Sequence, residues 1–212
     1  MKKILQKTIE IAALGLLLIL LTYLILNLQS SELATIAKEH RFIGAGLVAL
    51  IMFATTVIAP LTSLPLVPVI APLLGPFTTG TACFVGWFTG ALCAFFVGRR
   101  YGKPFVARHV SLEKFHKYEK YLKPEMEFIA IVALRIIIPV DVLSYLLGIL
   151  SKVTFRVYAG ATAVGILWFS FAFAYIGSAV IDHHYVLLAS ISVASMVVLY
   201  GAWWYLQKVK QK

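Results

Sequence analysis

No Asp, Glu, Lys or Arg occurs anywhere in residues 42–98. One helical crossing of a bilayer needs about 20 consecutive apolar residues, so this run is too long for a single simple span. Composition points the same way, with 61% of the 212 residues hydrophobic and 13% charged. A water-soluble domain of this size would have to leave large apolar patches exposed. The chain therefore reads as an all-α integral membrane protein, with no soluble domain large enough to fold alone.

The net charge of +10 invites a nucleic-acid reading, but the basic residues are distributed otherwise. They gather at residues 2–7, 99–123 and 208–212, each abutting an apolar run. Loops held on the cytoplasmic side of a membrane show this bias, so the expected partners are membrane lipids with anionic headgroups and no nucleic acid. Both termini are then cytoplasmic, and the compact chain points to a bacterial cytoplasmic membrane. Homo-oligomerisation stays open. Cys83 and Cys93, if on one helix, are roughly 15 Å apart along its axis and cannot bridge each other.

Residues 1–41 divide into a basic start, an uncharged stretch at 11–26 and a loop at 30–41 whose Glu32, Lys38, Glu39 and Arg41 cancel. A signal peptide would look similar, but no small-x-small cleavage site follows, so a first transmembrane anchor and an outer loop are expected. Residues 42–59 and 77–98 read as helices. Between them fall Pro60, Pro65, Pro68, Pro72 and Pro76. Proline breaks helical hydrogen bonding, yet no charge marks a watery loop. Irregular backbone at membrane depth persists where protein or a hydrated cavity surrounds it. A re-entrant hairpin entered from outside is expected; two full spans with an apolar loop are the alternative. Gly86 and Gly90 stand in GxxxG spacing, which signals close helix packing.

Residues 99–127 carry eight basic and four acidic residues. Leu112, Phe115, Tyr118 and Leu122 recur at helical spacing, with Lys114, Lys117 and Lys120 on another face. This fits an amphipathic helix over 111–123 on an anionic leaflet, or an ordinary solvated connector. Residues 128–150 form a second broken stretch, with about 16 Å of helix on either side of Pro139, half a bilayer core each. If the chain turns back there, Lys152, Arg156 and the basic C-terminus all fall inside. Spans at 157–181 and 185–206 follow, joined by Asp182, His183 and His184, with Trp203, Trp204 and Tyr205 as an interfacial belt. The total is about four transmembrane helices plus two opposed re-entrant hairpins in an inverted repeat, an arrangement of transporters. Residues 1–41, 42–181 and 182–212 are the expected divisions.

Arg135 and Asp141 are the only charges in residues 128–150. Each costs on the order of 3 kcal/mol at mid-membrane and marks a functional candidate. Pro139 suits the first turn of the second half-helix; that N-terminus, with Arg135 beside it, suits a phosphate. Asp141 either caps the half-helix and pairs with Arg135, or titrates and couples protons to transport. Arg99 and Arg100 either snorkel to the interface or recruit headgroups at the cytoplasmic mouth. The five histidines form no metal-ligand grouping. No Walker loop, Gly-x-Ser-x-Gly or HExxH occurs, so neither catalysis, cofactor nor metal is expected.

Gly75, Gly80, Gly86 and Gly90, with Gly98, Arg99, Arg100, Tyr101 and Gly102, resemble the first half of the DedA superfamily, also called the SNARE-associated Golgi protein or VTT-domain family. The run from Arg135 through Pro139, Asp141, Ser144 and Tyr145 to Gly148 is similar to its second signature, an Arg-x-x-x-Pro hairpin. The resemblance spans roughly residues 42–181. It implies two opposed re-entrant loops and lipid movement, either phospholipid scrambling or polyprenyl-phosphate flipping. It also implies proton-motive-force dependence in some bacterial members. Acids are absent from Pro60 to Pro76, and Asp141 stands where a further arginine is common, which places the chain nearer the Golgi-protein branch. Three functions compete: a carrier of phosphate-bearing lipids using Arg135, a proton-coupled carrier of a small ion or osmolyte using Asp141, and a non-transporting scaffold.

Overall fold

In the computed structural model, the described residues are 39–58, 66–106, 128–138, 140–150 and 153–210. The first anchor at 11–26, Pro60, Pro65, the basic segment at 111–123, Pro139 and Lys152 lie outside them. The described residues are helical, with no strand among them. Seven helices result: α1 (Arg41–Val57), α2 (Leu66–Leu74), α3 (Pro76–Val106), α4 (Phe128–Ile137), α5 (Val140–Leu150), α6 (Phe155–Ile181) and α7 (Tyr185–Lys210).

Three are long and apolar enough to cross a bilayer: Pro76–Gly102, Phe155–Ile181 and Tyr185–Lys208. The others are short. The 17 residues of α1 extend about 25 Å, and the 10 and 11 residues of α4 and α5 about 15 Å each.

Helix ends follow local chemistry. At the end of α2, Gly75 adopts φ 83°, where a side chain would be strained, and Pro76 opens α3 at once. A left-handed glycine after one helix and proline at the start of the next is the expected punctuation. Arg41 Nε donates to the Leu74 carbonyl at 2.7 Å, placing a cation on the negative end of α2. Helix α4 stops before Pro139, which disfavours helical backbone in the preceding residue. Between α6 and α7 the turn is as short as the sequence suggests: the Asp182 amide donates to Ser178, the His184 amide to Ala179, and His183 sits at φ 55°.

One expectation needs correcting. The proline cluster suggests irregular backbone from Pro60 to Pro76, yet Leu66–Leu74 is helical through Pro68 and Pro72. Pro68 falls in the first turn, where an amide has no helical acceptor in any case. Pro72 cannot donate to the Pro68 carbonyl, and that backbone is covered: a Cβ on Gly177 would come within 2.4 Å of Pro68 Cα.

The long helices α3 and α6 pack against each other at the centre. Within each half, the first short helix lies on its own long helix, α1 on α3 and α4 on α6. The second short helix crosses over, α2 to α6 and α5 to α3. Water does not drive these helices together in lipid, so close approach of backbones must. Gly86 and Gly90 face Ala49, Met52, Phe53 and Thr56 of α1; Gly165 faces Val132 and Arg135 of α4. Gly98 faces Tyr145 of α5, as Gly177 faces Pro68 of α2. Gly86 and Gly98 have the same spacing as Gly165 and Gly177, so the repeat is visible in register as well as in topology. Helix α7 packs on α4 and α6 and exposes Val193, Met196, Val197 and Tyr200, an apolar face suited to lipid.

Candidate functional site

Arg135 occupies the last turn of α4 and is only 3% exposed. It gets there because Gly165 lacks a side chain: a Cβ at that position would come within 2.7 Å of Arg135 Cβ. The guanidinium therefore lies deep between α4, α5 and α6.

Four of its N–H groups are occupied. Nη1 donates to the Val140 carbonyl at 2.7 Å and to Ser144 Oγ at 2.9 Å, both on α5. Nη2 donates to Tyr158 Oη at 2.7 Å and to Thr162 Oγ1 at 2.9 Å, both on α6. The fifth, on Nε, has no acceptor among the described residues. Every acceptor in this set is neutral. Among the described residues, none of its acceptors carries a compensating negative charge.

The cluster also reaches outward. Tyr158 Oη donates to the Ala91 carbonyl of α3 at 2.8 Å. Its ring lies under Arg135, with Cζ 5.3 Å from the centroid, and stacks on Phe95 at 4.0 Å between centroids. Arg99 Cζ sits 4.8 Å over the other ring, that of Phe95, and Arg99 Nη2 donates to the Val153 carbonyl at 3.0 Å. Two cations thus bracket two stacked rings, a favourable arrangement for both. Arg99 is exposed and Arg135 is buried, so the column leads from the surface to the interior.

Of the residues singled out from sequence, the structure joins Arg135, Ser144 and, through the rings, Arg99. Arg100 is exposed beside Arg99. Asp141 lies in the first turn of α5, but its side chain is outside the described residues, as is Pro139. Pro68 and Pro72 belong to α2, which packs on α6 near Gly177. Sequence reasoning missed Tyr158 and Thr162. Their signal was available: two hydroxyls four residues apart share one face of a helix that is otherwise strongly apolar. What concealed them is distance along the chain, 23 and 27 residues from Arg135.

An all-α membrane fold built as two interlocked halves, with a buried cation in the second, defines a class of polytopic membrane proteins with internal repeats. The sequence profile of the VTT domain matches residues 55–179. The chain belongs to the VTT-domain family, within the DedA superfamily. No curated protein and no solved structure matches it.

Proposed function

We propose that this VTT-domain protein moves phosphate-bearing lipids across the membrane, as a scramblase or flippase acting on phospholipid or polyprenyl phosphate. The observation that carries the reading is Arg135, a guanidinium 3% exposed and held, among the described residues, by neutral acceptors. A charge at membrane depth is costly to keep, and pairing with a mobile anion would offset that cost. Phosphate oxygens match the planar donor fork of arginine.

In this reading the short-helix pairs α1–α2 and α4–α5 are re-entrant hairpins from opposite faces, and both termini lie on the cytoplasmic side of a bacterial cytoplasmic membrane. Arg99 and Arg100 gather headgroups at the cytoplasmic mouth. The chain sits nearer the Golgi-protein branch of the superfamily, since its first hairpin lacks acids.

Purified protein reconstituted in liposomes, with a fluorescent phospholipid followed between leaflets, tests the proposal. Lipid movement is expected, lost in Arg135→Gln and retained in Asp141→Asn. Proton flux without lipid movement, abolished by Asp141→Asn, would replace it with a proton-coupled carrier. A folded protein showing neither activity would leave a scaffold. The topology has its own check: labelling of Lys152→Cys from outside would sink the second hairpin.

A further inference from the structure

The donor set of Arg135 is unevenly committed. Nη1 is anchored to α5 through Val140 and Ser144. Nε is buried without an acceptor among the described residues, and Nη2 is engaged by two side-chain hydroxyls of α6. In a planar guanidinium, Nε–H and one Nη2–H point the same way and form a fork for two oxygens of one anion. Half of that fork has no acceptor among the described residues. The other half is covered by a hydroxyl, either Tyr158 or Thr162.

Tyr158 is the one placed to leave. It stands in the ring column that links buried Arg135 to the exposed Arg99. Its own proton is given to the Ala91 carbonyl, so releasing Arg135 does not strand its hydroxyl. Exchanging a neutral oxygen for a phosphate oxygen strengthens the bonds to Arg135, because ionised acceptors bind about twice as strongly.

We infer that Tyr158 is a latch on the anion site: its hydroxyl occupies the Nε/Nη2 edge of Arg135 in the closed state and yields that edge to two oxygens of an arriving phosphate group. This rests on the lipid-transport reading of Arg135, and it assigns Tyr158 a gating role that the reading itself does not require.

The latch makes an unusual demand, since removing a hydrogen bond should improve binding. Tyr158→Phe keeps the ring stack and deletes the competing oxygen. Titration calorimetry of the detergent-purified protein with short-chain phosphatidic acid should show affinity rising about tenfold, the worth of one hydrogen bond to a charged group. The gain should vanish in an Arg135→Lys background, which keeps the charge but lacks the fork. Unchanged or weaker binding by Tyr158→Phe, with Arg135→Gln abolishing it, overturns the latch and leaves the lipid reading standing. Unchanged binding and transport in folded Arg135→Gln would sink the underlying site instead. Should Tyr158→Phe fail to fold, the Nε–H resonance of Arg135 in the wild type decides. It should shift on saturation with phosphatidic acid, and no shift would refute the edge. Inorganic phosphate run in parallel identifies the source. Tighter binding of the lipid assigns the site to a headgroup and equal binding assigns it to the free anion, and either result supports the edge.

Discussion

In the first half of the molecule Gly86 brings α3 against α1 at Ala49 and Met52; in the second half Gly165 brings α6 against α4 at Val132 and Arg135. The glycines play the same part, and the side chains they admit differ completely. Met52 is an apolar core residue, whereas Arg135 is a buried cation. The difference continues along the long helices. In the register set by the paired glycines, Thr79 and Cys83 stand where the second half has Tyr158 and Thr162. Thr79 is fully buried with no hydrogen-bond partner among the described residues, while Tyr158 bridges Arg135 and Ala91. The scaffold is thus duplicated and the chemistry is not. A membrane protein has good reason for that economy, since every buried charge must be supplied with acceptors.

The largest expected effect comes from moving the charge to the wrong copy. Met52→Arg places a five-donor guanidinium where Cys83 and Thr79 supply only a weak sulfur acceptor and one hydroxyl. It should destabilise the protein by about 3–5 kcal/mol, as an uncompensated buried charge does. The measurement is the yield of monodisperse protein and its thermal midpoint, and wild-type behaviour would break the comparison. Next comes the reverse exchange. Arg135→Met gives the second half the residue of the first; it should abolish lipid movement while leaving the thermal midpoint equal or higher, because apolar replacements of buried charges are often neutral or stabilising.

A third experiment separates packing from function. Gly86→Ala drives a Cβ to within 2.3 Å of the Ala49 carbonyl oxygen and should cost about 2 kcal/mol as overpacking, with transport per folded molecule unchanged. Gly165→Ala pushes on Arg135 itself, so transport per folded molecule should fall. Equal activity in the two variants would detach Gly165 from the site. The smallest effect concerns a tie between halves, the Tyr145 hydroxyl donating to the Val57 carbonyl at 2.6 Å across 88 residues. Tyr145→Phe should lower stability by about 1 kcal/mol, read from the thermal midpoint, without altering the Arg135 cluster.

Much of the architecture is legible in the sequence. A charge-free run, proline-marked breaks and glycines in helical spacing are local signals, and each depends on residues a few positions apart. They identify an all-α membrane chain, a proline-marked break in residues 128–150 and long apolar spans at 77–98, 157–181 and 185–206, where the structure has Pro76–Gly102, Phe155–Ile181 and Tyr185–Lys208. Arg135 was legible too, because one charge in an apolar stretch is conspicuous by its cost alone. The helical state of Leu66–Leu74 was not, since its prolines are tolerated only at a helix start and under the cover of α6.

What the sequence determined by itself, then, was the solvent this protein folds in, the division into halves and the existence of a cation that must be accounted for. The tertiary structure decided what surrounds that cation. It brought Ser144, Tyr158 and Thr162 onto Arg135, laid Phe95 and Arg99 in line behind Tyr158, and left Nε without an acceptor among the described residues. It also decided that the equivalent place in the first half stays apolar around Met52. These contacts join helices far apart in the chain, and they form only where glycines let backbones approach. No local pattern encodes them, because their energy comes from shape and acceptor geometry that exist only after the helices have packed.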